Sequence, residues 1–270
     1  MSMTPNLPLV GKRIVVTRAA EQAPELVRAL ESLGAQVLLL PLVTFTPPED
    51  WRPVDSALER IATFDWVLFT SQNAVRFFAG RAAQLHREKG WPRRPKIAAV
   101  GPATASAAER EGFQVDHTAQ EHSGEGLSRE LSASLAGRSV LLPRSDRADS
   151  RLPDALLKIG AQVTEVIAYR TAPPNSLDSK IVSALAAGSV DAIVFASPSA
   201  FHNVAGLLGA GGMKKLSESA QFAAIGPTTA SAIRAGGAHV EIEAEESSAA
   251  GLADAIAKHF QQRSETARRA

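Results

Sequence analysis

The sequence predicts an α/β protein of two similar domains, each a parallel sheet flanked by helices. The first observation is an internal repeat: AAVGPATASA at 98–107 returns as AAIGPTTASA at 223–232, with eight of ten positions identical. A similar offset, 125 to 126 residues, relates FTSQNAV at 69–75 to FASPSAF at 195–201. A repeat this long indicates two domains of one topology, because solenoid repeats span only about 20 to 50 residues.

The second observation is that short apolar runs alternate with stretches of helical spacing. RIVVT at 13–17 is followed by Leu26, Leu30 and Leu33 at helical spacing, and Gly34 ends the helix. Val37 begins the next apolar run, which extends to residue 40. Further apolar runs, each followed by a polar turn and an alanine-rich helical stretch, predict strands at 65–69, 97–100, 191–195 and 222–225.

The second half repeats the first unit. SVLLP at 139–143 precedes Leu152, Leu156 and Ile159 at helical spacing, and VTEVI at 163–167 follows. Because the strands read as continuous apolar runs, we expect sheets buried on both faces and therefore parallel. GAGGMKK at 209–215 predicts a flexible turn between two helices.

Composition narrows the class of function. The chain has 270 residues, 45% of them hydrophobic, and a formal net charge of +1, so total charge indicates neither a nucleic-acid nor a membrane partner. The absence of cysteine excludes disulfides, thiolate metal sites and a cysteine nucleophile. The N-terminus does not resemble a secretory signal, and no apolar stretch approaches the roughly 18 residues of a membrane span. We expect a cytoplasmic protein.

Motif searches indicate no cofactor. The six histidines show neither HxxxH nor HExxH spacing, so we expect no metal site. The chain also lacks GxGxxG, a GxxxxGKS phosphate loop and a GxSxG nucleophile elbow, which disfavours nucleotide cofactors.

Six strand-to-helix turns carry small polar residues or arginine. They lie at 17–18, 71–73, 101–104, 144–147, 197–199 and 226–229. The carboxyl ends of parallel strands meet at one edge of a sheet, and helix N-termini there attract carboxylate or phosphate. We therefore interpret the six turns as sites for an anionic ligand. The alternative is that the Ser and Thr residues only cap helices.

Three arginines of these turns could clamp a carboxylate: Arg18, Arg144 and Arg147. The competing interpretation is a surface ion pair. Asp146 and Asp149 could pair with the second and third arginine, whereas Glu21 is the only acid adjacent to the first.

Tyr169 is the only tyrosine and precedes the double proline at 173–174; a similar pair stands at 47–48. Such pairs suit passages between domains, but periodicity leaves open whether the domains are consecutive or interleaved. A phenol is protonated at neutral pH and can donate its proton to a leaving oxygen. An ordinary core or linker tyrosine is the alternative.

Over residues 11–260 the chain resembles the uroporphyrinogen-III synthase family. The motifs that carry the resemblance, by their order and spacing, are IVVTR at 14–18, FTSQNAV at 69–75, AVGPATA at 99–105, LLPRSD at 141–146, AYRT at 168–171, FASPSA at 195–200 and AAIGPTTA at 223–230. The resemblance implies two α/β domains joined by a two-stranded connector, with an active site in the cleft between them and no metal or organic cofactor. It places residues 1–40 with 174–270 and inserts 45–170 as the second domain, with crossings near 41–48 and 167–174.

The resemblance also implies the reaction. Linear hydroxymethylbilane loses water, its last pyrrole ring inverts, and the macrocycle closes to uroporphyrinogen III. Tyr169, which matches the family's motif tyrosine, is the candidate for protonating the leaving oxygen. The other candidates are expected to bind the eight substrate carboxylates: Arg18, Ser71, Thr104, Arg144, Arg147, Ser197, Ser199, Thr228 and Thr229.

Two other classes of function stay open at this point. The same fold could serve as a non-catalytic regulatory module that binds a tetrapyrrole or another anion, or as a secreted sugar- or amino-acid-binding protein. The missing signal peptide opposes the secreted class, and the lack of an appended DNA-binding segment opposes the regulator. We expect a monomer, with transient contact to the enzyme that makes the unstable substrate.

Overall fold

The computed structural model describes residues 7–85 and 94–269. These residues divide into two compact units, one drawn from Met1–Thr44 and Pro173–Ala270, the other from Phe45–Ala172. The chain passes from one unit to the other at 44–45 and returns at 172–173. Both passages lie inside the ranges 41–48 and 167–174 given above.

The elements follow one another in the order that the apolar runs predict. The strands are β1 Arg13–Val16, β2 Gln36–Leu39, β3 Thr44–Thr46, β4 Trp66–Phe69, β5 Lys96–Ala99, β6 His117–Thr118, β7 Ser139–Ser145, β8 Gln162–Ala172, β9 Ala192–Phe195, β10 Gln221–Ala224 and β11 Ile242–Glu243. The helices are α1 Pro24–Ser32, α2 Arg52–Glu59, α3 Gln72–Gln84, α4 Pro102–Arg110, α5 Gly124–Glu130, α6 Ser132–Leu135, α7 Arg151–Lys158, α8 Ser179–Ala186, α9 Pro198–Ser219, α10 Pro227–Ala235 and α11 Ala249–Arg269.

The two sheets have equivalent strand orders. The first unit contains a five-stranded sheet in the order β11-β10-β9-β1-β2, and all four of its strand pairs are parallel. The second contains a six-stranded sheet in the order β3-β8-β7-β4-β5-β6, whose pairs from β8 to β6 are parallel. The order β6-β5-β4-β7-β8 matches β11-β10-β9-β1-β2 strand by strand. The predicted α/β class and the duplicated topology are confirmed.

Both sheets bury two faces, which explains why their strands read as apolar runs. In β1, Ile14 and Val16 join one core cluster, whereas Val15 joins the cluster on the other side. In β4, Val67 and Phe69 likewise separate from Trp66 and Leu68. Burial of one such side chain contributes about 1.5–3 kcal/mol to stability.

The predicted turn between two helices at 209–215 is confirmed at its first residue only. Gly209, with φ of 64°, interrupts α9, but the residues on both sides of it are helical. Met213 and Leu216 pack onto the core of the first unit. Their burial offsets the low helix propensity of the glycines, so tertiary packing overrides local preference.

The sequence prediction also missed short elements. β6 and β11 have only two residues each, so neither contains an apolar run that could have been recognised. β8 continues beyond the predicted run as far as Ala172, and this additional part of the strand contains Tyr169. In residues 7–85 and 94–269, no helix has the length and apolar character needed to cross a membrane.

Candidate functional site

Predicted site residues of the first unit lie after neighbouring parallel strands. Arg18 follows β1, Ser197 follows β9, and Thr228 and Thr229 follow β10. Since β10, β9 and β1 are adjacent in the sheet, their carboxyl ends bring these turns to one edge. This is the edge at which open α/β sheets bind ligands.

Serine and glycine begin the two helices of this edge in different ways. The Ser197 Oγ accepts a hydrogen bond from the Ala200 amide at 3.3 Å and lies 3.0 Å from the Ser199 Oγ. Gly226 begins α10 without any side-chain cap. Amide groups of that first turn are therefore available to an anion. Thr229 is buried in the helix, whereas Thr228 is exposed beside those amides.

Arg18 is a half-buried cation without a direct partner in the described part of the chain. No hydrogen bond or ion pair joins its guanidinium to residues 7–85 or 94–269. Burial lowers the pKa of Arg18, and the charge of Glu25 offsets part of that effect. The acid whose charge acts on the pKa of Arg18 is thus Glu25, and not the adjacent Glu21 that the sequence analysis considered. A desolvated guanidinium of this kind favours an anionic ligand.

The second unit presents a corresponding edge. Ser71 follows β4, Thr104 lies in the first turn of α4 after β5, and Arg147 follows β7. β7, β4 and β5 are adjacent in the sheet, so the carboxyl ends of these strands are neighbours. Thr104 is buried, and Gly101 begins its helix without a side-chain cap, as Gly226 does in the first unit.

Tyr169 is a buried side chain at this edge, with 7% of its surface exposed. Its phenol oxygen lies 3.1 Å from the Ser71 Oγ. The ring stacks on Phe77 with centroids 5.7 Å apart and meets Phe45 edge-on at 5.7 Å. The phenol therefore occupies a fixed position beside the N-terminus of α3.

The structure corrects the predicted placement of Arg144. This residue does not lie in the turn but in strand β7, and it is buried with 8% exposure. Its guanidinium donates to the Glu165 carboxylate and to the Asp149 backbone carbonyl. These partners satisfy the buried guanidinium and link β7 to Glu165 of β8, and carboxylate binding by Arg144 stays a prediction. Of the two acids expected as partners, Asp149 accepts through its backbone carbonyl. The charges of Arg144 and Arg147 act on the Asp149 and Asp146 carboxylates without a direct ion pair within the described ranges.

Arg147 differs from Arg144 in being exposed. Its guanidinium makes no hydrogen bond or ion pair within the described ranges, although its charge acts on Asp146. It lines a pocket of about 370 Å³ with Arg144, His122 and Ser123. His122 and this pocket were not predicted. His122 lies beside Gly101, and Ser247, 125 positions later, lies beside Gly226. The internal repeat was therefore the available signal for this position.

The Asp146 carboxylate anchors the turn after β7. It accepts hydrogen bonds from the Thr171 amide at 3.0 Å and the Ser145 hydroxyl at 3.1 Å. Burial alone raises the pKa of Asp146, but these bonds and the charges of Arg170 and Arg147 hold it below its usual value. The ionised form thus stabilises the folded state.

We expect Asp146→Asn to lower the free energy of unfolding by about 1 kcal/mol at pH 7. The folded pKa lies below the unfolded value of about 3.9, so the contribution is present above that value and is lost as pH falls through the folded pKa. Urea unfolding of both proteins at a series of pH values tests this. A stability difference that persists unchanged in acid would contradict it.

Residues 7–85 and 94–269 contain no group of three His, Asp or Glu residues arranged to hold a metal ion. The expectation of a cofactor-independent protein stays a prediction.

Comparison with known proteins decides the family. A family model described as "Uroporphyrinogen-III synthase HemD" matches residues 24–254. The chain belongs to the uroporphyrinogen-III synthase family. The resemblance read from the motifs is thereby confirmed. The chain is 34% identical over 255 residues to the uroporphyrinogen-III synthase of Synechococcus elongatus, covering 92% of this chain and 96% of that one. It is 29% identical to that of Chlorobaculum parvum, with 92% and 98% covered.

Solved structures of this synthase family share the fold. A mutant uroporphyrinogen III synthase from the extremely thermophilic bacterium Thermus thermophilus matches with a TM-score of 0.62 and 19% identity, covering 93% of this chain and 99% of that one. The Helicobacter pylori uroporphyrinogen-III synthetase matches with a TM-score of 0.60 and 19% identity, with 92% and 99% covered. At this identity the likeness supports the α/β architecture alone.

The sequence analysis missed two aromatic residues of the candidate site. Phe45 and Phe77 hold the Tyr169 ring, yet they stand 124 and 92 positions from it in the chain. No local spacing relates them. Phe77 could have been suspected because it lies in the helix that Ser71 begins.

Proposed function

We propose that this chain is a uroporphyrinogen-III synthase that dehydrates hydroxymethylbilane and closes it, with inversion of the last ring, to uroporphyrinogen III. Family membership supports the assignment. The structural observation that carries the mechanism is Tyr169, the only tyrosine of the chain, held at the carboxyl ends of the strands of its sheet.

The first step is loss of the hydroxyl group. The pyrrole nitrogen pushes electrons toward the terminal carbon, the carbon–oxygen bond breaks, and its electron pair leaves with the oxygen. Tyr169 gives its phenolic proton to that oxygen, so water departs and a phenolate faces a cationic azafulvene. The azafulvene carbon bonds the substituted carbon of the last ring, and the bond from that ring carbon to its original methylene bridge then breaks. The released bridge carbon bonds the unsubstituted α-carbon of the same ring, and the proton lost from that carbon restores the phenol. Overall, the substrate loses one water molecule.

The substrate carboxylates require many weak, directed contacts. The glycine-begun N-termini of α4 and α10 offer backbone amides without competing side-chain caps. Thr104, Thr228 and Thr229 lie in those first turns, and Ser197 and Ser199 begin α9. Arg18 and Arg147 add guanidinium groups that no side chain of the described ranges neutralises by direct contact. We assign carboxylate binding to this set, with Arg144 as a further candidate.

The larger task is geometric. The azafulvene can close without inversion to the type I isomer, so the enzyme must hold the chain folded for attack at the substituted carbon of the last ring. Rigid positioning of reacting groups can supply several kcal/mol of barrier lowering. Fixed helix ends and the half-buried Arg18 suit that role because they need little reorganisation on binding. We further propose that the enzyme is cytoplasmic and monomeric, and that it makes transient contact with the enzyme that produces its substrate.

The test is to generate hydroxymethylbilane in the presence of the purified protein, oxidise the products and separate type I from type III porphyrin by chromatography. We expect predominantly type III. A reaction without protein supplies the spontaneous type I background. Type I alone, from protein shown to be folded by circular dichroism, would overturn the synthase assignment and favour a binding protein of the same fold.

A further inference from the structure

Ser71 has two partners at once. Its Oγ accepts the Ala74 amide at 3.0 Å, which caps α3, and the same oxygen lies 3.1 Å from the Tyr169 phenol oxygen. A serine hydroxyl has one hydrogen and two acceptor lone pairs. Since the amide occupies one lone pair, the hydroxyl hydrogen remains available to the phenol oxygen.

The direction of this hydrogen bond decides what Tyr169 can do. If Ser71 donates to the phenol oxygen, the phenolic hydrogen is free to point at a ligand. That arrangement also stabilises a phenolate after the proton has left. If Tyr169 donates to Ser71 instead, its hydrogen is already engaged and must be released before it can protonate a leaving group.

The internal repeat shows that the serine cap does not depend on a phenol. Ser197, the counterpart of Ser71 at an offset of 126 residues, caps α9 through the Ala200 amide. Its second neighbour is the Ser199 hydroxyl at 3.0 Å. The same offset sets Val43 against Tyr169. The serine–phenol pair therefore occurs in only one of the two repeats. In the other repeat, the serine caps the equivalent helix without a phenol.

The ring of Tyr169 has little freedom to seek another partner. Phe77 covers one face and Phe45 meets it edge-on, and the residue is buried. The remaining freedom is rotation of the O–H bond about the C–O bond. Among the described residues, Ser71 places a hydroxyl within hydrogen-bond distance of the phenol oxygen and can therefore set the direction of the phenolic hydrogen.

We propose that Ser71 is a positioning residue for Tyr169: it donates to the phenol oxygen, directs the phenolic hydrogen toward the ligand side and stabilises the phenolate. This assignment rests on the proposed function, and it changes the predicted role of Ser71 from carboxylate binding to positioning.

Steady-state kinetics of Ser71→Ala, Ser71→Thr and Ser248→Ala test the role. We expect Ser71→Ala to lower kcat about tenfold with KM within about twofold, the size expected for one lost hydrogen bond to a developing charge. Ser71→Thr keeps the hydroxyl and is expected to recover most of kcat. Ser248 caps α11 through the Gly251 amide at 3.0 Å, so Ser248→Ala removes an equivalent cap and is expected to leave kcat unchanged.

A spectroscopic titration reads the same hydrogen bond without turnover. Because the chain has one tyrosine, the near-ultraviolet tyrosinate absorbance belongs to Tyr169 alone. We expect Ser71→Ala to move this titration to higher pH, since the phenolate loses a donor, and Ser248→Ala to leave it in place. A shift to lower pH would mean that Tyr169 donates to Ser71, and no shift would mean no coupling; either result overturns the proposal.

The two readouts separate failure of this inference from failure of the synthase assignment. If the unaltered protein makes no type III product, the proposed function fails, while the titration still reports the hydrogen bond. If it makes type III and Ser71→Ala raises KM at unchanged kcat, Ser71 binds substrate and the positioning role is wrong.

Discussion

Tyr169→Phe is expected to lower kcat about 10- to 100-fold, less than the upper range for general acid catalysis, because the pyrrole nitrogen itself drives departure of the hydroxyl group. KM is expected to change little. The phenylalanine ring keeps the stacking on Phe77 and the edge contact with Phe45, so the change removes the hydroxyl group and its proton without creating a cavity.

The measurement is the initial rate of type III formation over a range of hydroxymethylbilane concentrations, corrected for spontaneous type I closure. Residual product should remain mainly type III, since folding of the substrate chain depends on carboxylate contacts and not on the phenol. The proton-donor role is wrong if Tyr169→Phe retains the full kcat. A loss of isomer selectivity at normal rate would instead make Tyr169 a group that orients the substrate.

Gly126→Ala is expected to destabilise the second unit by about 1–3 kcal/mol, the usual cost of forcing an extra methyl group into a packed site. A methyl carbon on Gly126 would stand 2.5 Å from the Glu121 backbone carbonyl oxygen and 2.7 Å from the Glu121 Cβ. Neither atom belongs to the flexible end of a side chain, so the turn before α5 would have to shift. That turn carries His122 and Ser123, which line the pocket beside Arg147.

Gly80→Ala is the matched control. Gly80 lies in α3 with nothing within 4 Å of an added methyl group, so alanine there is expected to stabilise by about 0.5–1 kcal/mol. Thermal and urea unfolding of both variants supply the comparison. Equal stability of Gly126→Ala and the unaltered protein would show that the turn relaxes freely. Gly251, at the same offset, is expected to repeat the effect, since its added methyl group would stand 2.6 Å from the Glu246 carbonyl oxygen.

The architecture was predictable from the sequence because its signals are local and occur twice. RIVVT and SVLLP become β1 and β7, and each stands in the same position of its sheet. Continuous apolar runs mark strands that bury both faces, and the polar turns that follow them mark the ligand edge. The same local reasoning failed at 210–215, where a glycine-rich segment is helical and its side chains pack onto the core of the first unit.

Local sequence patterns were enough to establish the fold class, the duplication, the family and the edge of each sheet where polar residues gather. Which polar side chains share a partner became apparent in the folded chain. Arg144 pairs with Glu165, 21 positions away, and Ser71 meets Tyr169, 98 positions away. This is because a hydrogen bond depends on a distance of about 3 Å between a donor and an acceptor atom that lie far apart in the sequence. Strand register and side-chain packing set those distances, and they cannot be inferred from the spacing of residues along the chain.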